Sequence, residues 1–178
     1  MSATLEPVFG ANVDATRPTN VLVVGVGGQG VIMVSKVMAR IAQLHCREIK
    51  QSEVHGMAKR GGSVFSHVRF GAEVWAPTIA LGEADVVVAL EWAEGLRWLP
   101  YLNPVSGSLI VDTKRIVPPF GCIDRRRGAT LAYPDTRIAE VAAHVPNLYA
   151  LDAEGMAEAL GNPRVANTVL LGVLSTTL

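Results

Sequence analysis

The apolar residues of this chain follow two different spacings, and each spacing predicts one kind of element. Short continuous runs, such as NVLVV at residues 20–24 and ADVVVAL at 84–90, are typical of strands that are buried on both faces of a sheet. Longer stretches repeat an apolar residue every three or four positions, as at Val31, Val34 and Met38, which is typical of a helix with one buried face. The first run, a glycine-rich break and the first helical stretch form the opening of a βαβ unit.

The same alternation continues to the end of the sequence. We predict strands at residues 20–24, 47–52, 64–70, 84–90, 108–112, 129–133 and 147–151, and helices at 31–44, 91–99, 136–143, 153–160 and 165–178. Strand 64–70 alternates apolar with polar residues, so we expect it to have one wetter face. The whole pattern predicts an α/β fold with a single Rossmann-like, doubly wound, mostly parallel sheet. This domain is expected to span residues 19–178, after an N-terminal arm at 1–18 that shows no periodicity.

Composition changes this picture mainly at the surface. Hydrophobic residues make up 49% of the chain and charged residues 18%, whereas about 25% charged is usual. A buried parallel sheet accounts for part of the surplus, and we expect a partner to cover some of the rest. The formal net charge of +0 gives no overall attraction to nucleic acid or to an anionic membrane. The basic triplet at 125–127 is more typical of a solvated turn than of a binding patch.

The cysteine count limits the metal chemistry that the chain can perform alone. Cys46 and Cys122 are its two cysteines, which excludes a cysteine-ligated iron–sulfur cluster or structural zinc site built by this chain without help. The first residues lack the basic and apolar regions of a secretory signal. No apolar run approaches the ~20 residues that a membrane span needs. We therefore expect a cytoplasmic protein with no membrane segment and no metal ligands of its own.

A glycine-rich turn follows the first predicted strand. The stretch GVGGQG, from Gly25 through Gly27, Gly28 and Gln29 to Gly30, matches G-x-G-x-x-G between a strand and a helix. In dinucleotide-binding folds the first glycine permits the tight turn, the second lets backbone approach a phosphate, and the third lets the helix pack closely. We therefore treat these five residues as a candidate cofactor-binding turn.

The acidic residue that a nicotinamide dinucleotide site requires is not clearly present. That residue binds the ribose from the end of the second strand, about twenty residues after the turn. Glu48 begins the predicted second strand instead of ending it, and Glu53 follows its end. Two interpretations stay open at this point. Either the turn binds a phosphate, or its glycines serve only the chain geometry.

The segment SEVHGMAKRGGS at residues 52–63 combines positive charge with backbone freedom. His55, Lys59 and Arg60 are the candidate cleft-lining residues. They precede Gly61, Gly62 and Ser63, which are candidate cofactor contacts. In a doubly wound sheet, a loop after the second strand opens on the same edge as the glycine turn. We therefore expect the two segments to lie close together and to suit a phosphate or carboxylate. The alternative is a solvated loop.

Taken together, these two segments resemble one family. GVGGQG, SEVHGMAKRGGSVFSHVRFG, LEWAEGLRWLPYL and NTVLLGVL are similar to the gamma subunit or domain of the 2-oxoacid:ferredoxin oxidoreductases, and among these to the small subunit of the indolepyruvate-type enzymes. The resemblance implies a Rossmann-like gamma domain in a heteromeric complex. In such a complex a larger partner subunit carries thiamine diphosphate, magnesium and [4Fe–4S] clusters. The complex converts a 2-oxoacid to an acyl-CoA, and ferredoxin accepts the electrons.

The resemblance also implies what this chain does within the complex. It would complete the assembly and the active-site cleft, and it would be inactive alone, because it lacks the thiamine-binding GDG and NN motifs. CoA contact with this subunit, the identity of the 2-oxoacid, the final acceptor and the stoichiometry stay open. Two rival hypotheses are a stand-alone NAD(P)- or nucleotide-binding Rossmann protein, with His55 as proton donor, and a regulatory scaffold.

Several further residues have a structural role as their simplest interpretation. His45, His67 and His144 are expected to be structural. Asp112, at the end of a predicted strand, either faces the ligand edge or caps the next turn. The three tryptophans are expected to be core or interface anchors, with an aromatic substrate pocket as the alternative; they are Trp75, Trp92 and Trp98.

Overall fold

A computed structural model describes residues 17–45, 48–56, 62–116 and 136–178, and the side chains of His45 and His55 are not among the described groups. Its strands are β1 (Thr19–Val26), β2 (Glu48–His55), β3 (Ser63–Gly71), β4 (Val86–Ala89), β5 (Ser108–Asp112) and β6 (Asn147–Leu151). Its helices are α1 (Val31–His45), α2 (Trp92–Arg97), α3 (Ile138–Ala142), α4 (Ala153–Ala159) and α5 (Ala166–Leu174). The predicted strand at 129–133, the basic triplet and both cysteines lie outside the described residues.

The six strands form one sheet with the order β2-β3-β1-β4-β5-β6. Strands β1, β4, β5 and β6 are parallel neighbours, whereas β3 is antiparallel to both β1 and β2. The mostly parallel α/β sheet that the sequence predicts is therefore confirmed. The antiparallel β3 arises because β2 and β3 form a hairpin, which needs no crossover helix.

Side chains from β1 alternate between two cores, one on each face of the sheet. Val21 and Val23 pack on one face in a cluster with α1, α4 and α5, and Leu22 and Val24 pack on the other in a cluster with α2 and α3. Layers of helices on both faces make the fold doubly wound. No helix in the described part of the chain is both long and apolar enough to cross a membrane.

One local prediction for the hairpin was wrong and another was confirmed. The second strand extends to His55, three residues beyond the predicted end, because it pairs with β3 along its whole length. The expected wetter face of β3 is observed, since Ser63, Phe65 and Arg69 on one face are half-buried while the residues of the other face are buried. Ser66 is on the buried face that packs against α1, and His67 is the one buried polar side chain on the wetter face of β3, where it lies against Ile79 and Tyr101.

Candidate functional site

The glycine turn occupies residues 27–30, between the end of β1 and the start of α1. Gly28 has φ +100° and Gly30 has φ +88°, a left-handed backbone region that residues with a Cβ atom rarely adopt. The turn therefore needs glycine at both positions. It lies at the carboxyl ends of the parallel strands, the edge where doubly wound sheets bind ligands.

The β2–β3 hairpin lies directly beside this turn. The Gly27 N–H donates to the Gly62 carbonyl at 2.8 Å, and the Gly56 N–H donates to the Ser63 carbonyl at 3.2 Å where the hairpin strands end. The register of β1 with β3 explains the contact, because Val26 is opposite Ser63. The two segments that the sequence analysis expected to be close are thus joined by a backbone hydrogen bond.

Gln29 folds its side chain back into the turn. Its Oε1 accepts the Val26 N–H at 2.8 Å, and its Nε2 donates to the Leu90 carbonyl at 2.6 Å. The side chain therefore joins the end of β1 to the residue that follows β4. The main-chain carbonyl of Gln29 accepts a hydrogen bond from Asn167 Nδ2 at 2.9 Å. Asn167 is in the first turn of α5, so a distant part of the sequence also contributes to this site.

The start of α2 adds buried carboxylates to the same edge. Glu91 is 1% exposed, and its carboxylate accepts the backbone N–H groups of Glu94 and Ile116 at 2.8 and 3.1 Å. Glu94 is also buried, and its carboxylate accepts the Ser63 hydroxyl at 2.6 Å and pairs with Arg97 at 3.2 Å. Ser63 therefore links the hairpin to α2, whereas the sequence analysis considered it only as a cofactor contact.

Comparison with known proteins identifies the family. The family model described as pyruvate ferredoxin/flavodoxin oxidoreductase matches residues 20–178. The chain belongs to this family. It is 41% identical over 157 residues to an indolepyruvate oxidoreductase subunit IorB from Archaeoglobus fulgidus, a match that covers 87% of this chain and 75% of that protein.

Solved structures of the family share the fold. One is a 2-oxoglutarate:ferredoxin oxidoreductase from Magnetococcus marinus with 2-oxoglutarate, coenzyme A and succinyl-CoA bound. Its TM-score to this chain is 0.61 at 20% sequence identity, and the match covers 89% of this chain but only 24% of the larger one. Another is the gamma subunit of a keto/oxoacid ferredoxin oxidoreductase from Geobacter sulfurreducens, at TM-score 0.57 and 23% identity over 88% of this chain and 74% of that one. These structures support the gamma-type α/β fold that the resemblance implies.

The stand-alone NAD(P)-dependent alternative is not supported by these comparisons, and the sheet order gives a physical reason. Strand β3 lies between β1 and β2, so the end of β2 is about two strand spacings, ~9.6 Å, away from the glycine turn. Glu53 accepts a hydrogen bond from Gln51 at 2.8 Å, and Glu48 accepts the Val74 N–H at 2.8 Å. Neither carboxylate takes the ribose position of a dinucleotide site.

The candidate residues at the hairpin tip are only partly placed. Gly62 and Ser63 lie against the glycine turn and α2, as described above. Lys59, Arg60 and Gly61 lie outside the described residues, as does the side chain of His55. Their roles stay predictions. Within the described part of the chain, no group of three or more His, Cys, Asp and Glu residues could hold a metal ion.

Asp112 and two histidines have structural contacts. Asp112 Oδ1 accepts the Lys114 N–H at 3.0 Å, so Asp112 caps the turn after β5, which is one of the two roles that the sequence left open. Burial raises the pKa of this carboxyl. His67 Nδ1 accepts the Ile79 N–H at 3.2 Å. Burial lowers the pKa of His67, and the nearby Arg69 cation lowers it further. His144 Nδ1 lies 2.8 Å from the Glu140 carbonyl oxygen.

The three tryptophans occupy different environments. Trp92 is buried in the core beside α2. Trp98 packs against Phe65 and Tyr101, with ring centroids 4.3 and 5.0 Å apart. Trp75 is 84% exposed. The core-anchor interpretation therefore fits Trp92 and Trp98.

The sequence analysis missed Glu91, Glu94 and Asn167 as members of this site. All three fall inside segments that carry the family resemblance, which was the one signal available. The contact of Asn167 with Gln29 and that of Glu94 with Ser63 join distant segments, and a single sequence does not encode such contacts in its local pattern.

Proposed function

We propose that this chain is the small subunit of a heteromeric 2-oxoacid:ferredoxin oxidoreductase that acts on an aryl-pyruvate such as indolepyruvate. The observation that carries the proposal is the family match over residues 20–178 together with 41% identity to a subunit named for indolepyruvate oxidation. The complex would oxidatively decarboxylate the 2-oxoacid, join the acyl group to CoA, release carbon dioxide and pass the electrons to ferredoxin.

We propose that a larger catalytic partner holds the redox cofactors. A [4Fe–4S] cluster takes four cysteine thiolates, and this chain has two cysteines, so it does not fit such a cluster alone. Thiamine diphosphate with magnesium, which supplies the ylid for decarboxylation, is likewise assigned to the partner. The low cysteine count favours a reducing, cytoplasmic location for the complex.

The part of this chain that we assign to the active-site cleft is the edge bearing the glycine turn. Gly27 and Gly62 are hydrogen-bonded there, and this bond supports placing the hairpin next to the turn. His55, Lys59 and Arg60 belong to the same hairpin segment, and we propose that they line the cleft. The positive charges of Lys59 and Arg60 suit the phosphates or carboxylates of CoA and the 2-oxoacid.

An anaerobic pull-down of the tagged chain from its native host tests the subunit assignment. We expect a brown complex that contains iron, thiamine diphosphate and one large partner. This complex should oxidise indolepyruvate with CoA and ferredoxin, with kcat/KM at least ~10-fold above that for pyruvate or 2-oxoglutarate. Recovery of a colourless chain without a partner would refute the proposal. A brown complex that prefers 2-oxoglutarate would refute only the substrate class.

The role of the hairpin cations is tested within the purified complex. Lys59→Ala and His55→Ala should leave assembly intact and lower kcat/KM by ~10-fold or more, because they remove charge or proton-donating capacity from the cleft. A rise confined to the KM for CoA would assign the cations to CoA binding, whereas a fall in kcat alone would assign them to the reacting 2-oxoacid. Lys36→Ala, on the exposed side of α1, is the matched control and should change neither constant.

A further inference from the structure

The glycines at the two ends of the GVGGQG motif, Gly25 and Gly30, have close contacts within this chain. A Cβ atom at Gly25 would lie 2.9 Å from a Val31 methyl and 3.0 Å from Gln29 Oε1. The Gly27 N–H is used by the Gly62 carbonyl. A Cβ atom at Gly30 would lie 2.9 Å from Asn167 Nδ2. Gly25 and Gly30 therefore serve internal packing, whereas Gly28 has open space around a Cβ atom and needs glycine for its φ of +100°. These requirements hold without any bound phosphate.

The position of Gln29 closes the crevice in which doubly wound folds bind nucleotides. That crevice lies where the strand order reverses. In this sheet the chain leaves β1 towards β3 and β2 and returns on the other side at β4, so the reversal is between β1 and β4. The Gln29 side chain crosses this gap from the Val26 N–H to the Leu90 carbonyl, with hydrogen bonds of 2.8 and 2.6 Å.

Asn167 fixes the same turn from the opposite side. Its amide donates to the Gln29 carbonyl at 2.9 Å across 138 residues of sequence. The two amide side chains thus depend on each other. Asn167 fixes the main chain of Gln29, and the Gln29 side chain in turn joins the ends of β1 and β4. The Gly27 N–H lies two residues before Gln29, and its direction towards Gly62 depends on the shape that these bonds impose on the turn.

We infer that Gln29 and Asn167 are positioning residues, which hold the glycine turn against the end of the β2–β3 hairpin and thereby set the position of Gly62 and Ser63 at the active-site cleft. This inference rests on the proposed function for its effect on turnover. The hydrogen bonds themselves lie entirely within this chain. In this interpretation the motif fixes the position of the end of the hairpin and does not bind a dinucleotide.

The test replaces Gln29 by a residue of similar size that cannot form hydrogen bonds. In the assembled complex, Gln29→Leu should raise the hydrogen-exchange rate of the Gly27 amide by ~10-fold or more, since the turn that orients its bond to Gly62 is loosened. It should lower kcat by ~10- to 100-fold because the cleft is mispositioned. The KM for the 2-oxoacid should stay within about twofold, since no substrate contact is removed. A general loss of stability would not produce this separation of kcat from KM.

The matched control is Gln43→Leu, the same substitution at an exposed position of α1, which should leave exchange and kcat at wild-type values. If Gln29→Leu fails to fold, Asn167→Asp is the second variant, since it keeps the size of the side chain and removes the amide that donates to Gln29. It should change exchange and kcat in the same direction by a smaller factor. The inference would be overturned if the Gly27 amide of Gln29→Leu exchanged at the wild-type rate. It would also be overturned if that amide exchanged faster while kcat stayed at the wild-type value.

The two proposals fail in different ways. If the wild-type chain never assembles with a thiamine-containing partner, the proposed function is wrong. Hydrogen exchange on the full chain alone still decides whether Gln29 and Asn167 hold the turn. If the complex assembles and turns over normally with Gln29→Leu, only the positioning role is wrong.

Discussion

The parallel half of the sheet and its hairpin half bury different kinds of side chain. In the parallel half, all residues of β4 and β5 are buried, and valine, leucine and isoleucine fill most positions. In the hairpin half, β3 buries Ser66 and His67 along with its apolar residues. Gln51 on β2 donates to the hydroxyl of Ser35, a fully buried residue of α1, at 2.9 Å. Along the strands, β4 and the middle of β5 are therefore held mainly by apolar burial, whereas β2 and β3 also use directed hydrogen bonds of their side chains. The buried polar groups of the parallel half, such as Glu91 and Asp112, lie at the strand ends.

This difference matches the different tasks of the two halves. Apolar burial is non-directional and gives large stabilisation without fixing orientation closely. Buried hydrogen bonds contribute less net free energy, but leaving one unmade is costly, so they select a single arrangement. The hairpin carries the segment that we assign to the cleft, where orientation matters. The parallel half supplies the rigid frame against which the hairpin is held.

The largest expected effect comes from removing apolar volume in the parallel half. Ile110 on β5 is fully buried, and Ile110→Ala should lower the free energy of unfolding by about 2–5 kcal/mol, because it removes buried methyl groups and leaves a cavity. Ile49→Ala makes the same change on β2, where the side chain is only partly buried, and should cost clearly less. Urea denaturation of both variants measures the difference. Equal losses would contradict the division between the halves.

A smaller effect is expected from the polar network of the hairpin half. Gln51 Nε2 contacts Ser35 Oγ at 2.9 Å and the fully buried Ser66 Oγ at 3.3 Å. Gln51→Leu removes this donor and should cost about 1–3 kcal/mol in the free energy of unfolding, since buried hydroxyl groups lose a partner.

The double variant Gln51→Leu/Ser66→Ala tests whether that cost comes from an unmade hydrogen bond. Removing both partners leaves fewer unpaired polar groups, so the double variant should be less destabilised than the sum of the two single variants. Simple additivity, measured by the same denaturation series, would show that the network does not behave as a unit.

The sequence predicted the parallel half well for a physical reason. Strands β5 and β6 have the bounds that were predicted. A short apolar run flanked by turns identifies β5, which is buried, and the same kind of run identifies β6 although it is exposed or half-buried. The end of β2 was predicted less well, since Glu53 and His55 lack strand-like hydrophobicity and take strand form through pairing with β3. Local alternation in β3 indicated the wetter face, but it could not show that Ser66 packs under α1 and that His67 is buried against Ile79.

The candidate site divides in the same way. The glycine turn and its nearness to the hairpin followed from local motifs and from the rule for strand ends. The contact of Asn167 with Gln29 spans 138 residues, and no local spacing encodes it. Gln29 was predicted as a cofactor contact, whereas its side-chain amide is used within the protein. The motif thus identified the right edge of the sheet, but it did not distinguish a phosphate site from a packed turn.

The smallest expected effect is a difference in pH dependence at the hairpin half. Burial and the Arg69 cation lower the pKa of His67 below its ordinary value of 6.5. Below pH 6.5 the unfolded chain therefore binds a proton on this residue that the folded chain does not yet bind. The free energy of unfolding should fall as the pH drops from 6.5 towards the folded pKa. His67→Gln keeps an acceptor for the Ile79 N–H and cannot titrate, so denaturation between about pH 5 and pH 7 should show a weaker slope in this variant.

The parallel half should respond to pH with the opposite sign. Burial raises the pKa of Asp112 above its ordinary value of 3.8, so the folded chain keeps this proton to a higher pH than the unfolded chain does. Its contribution to stability therefore decreases as the pH rises from 3.8 towards the folded pKa. His144→Gln makes the same substitution at an exposed histidine, and comparison with it shows how much of the change in slope is specific to position 67. Identical slopes in wild type and His67→Gln would mean that His67 takes up its proton as readily in the folded chain as in the unfolded chain, and the burial of His67 would then be incorrect.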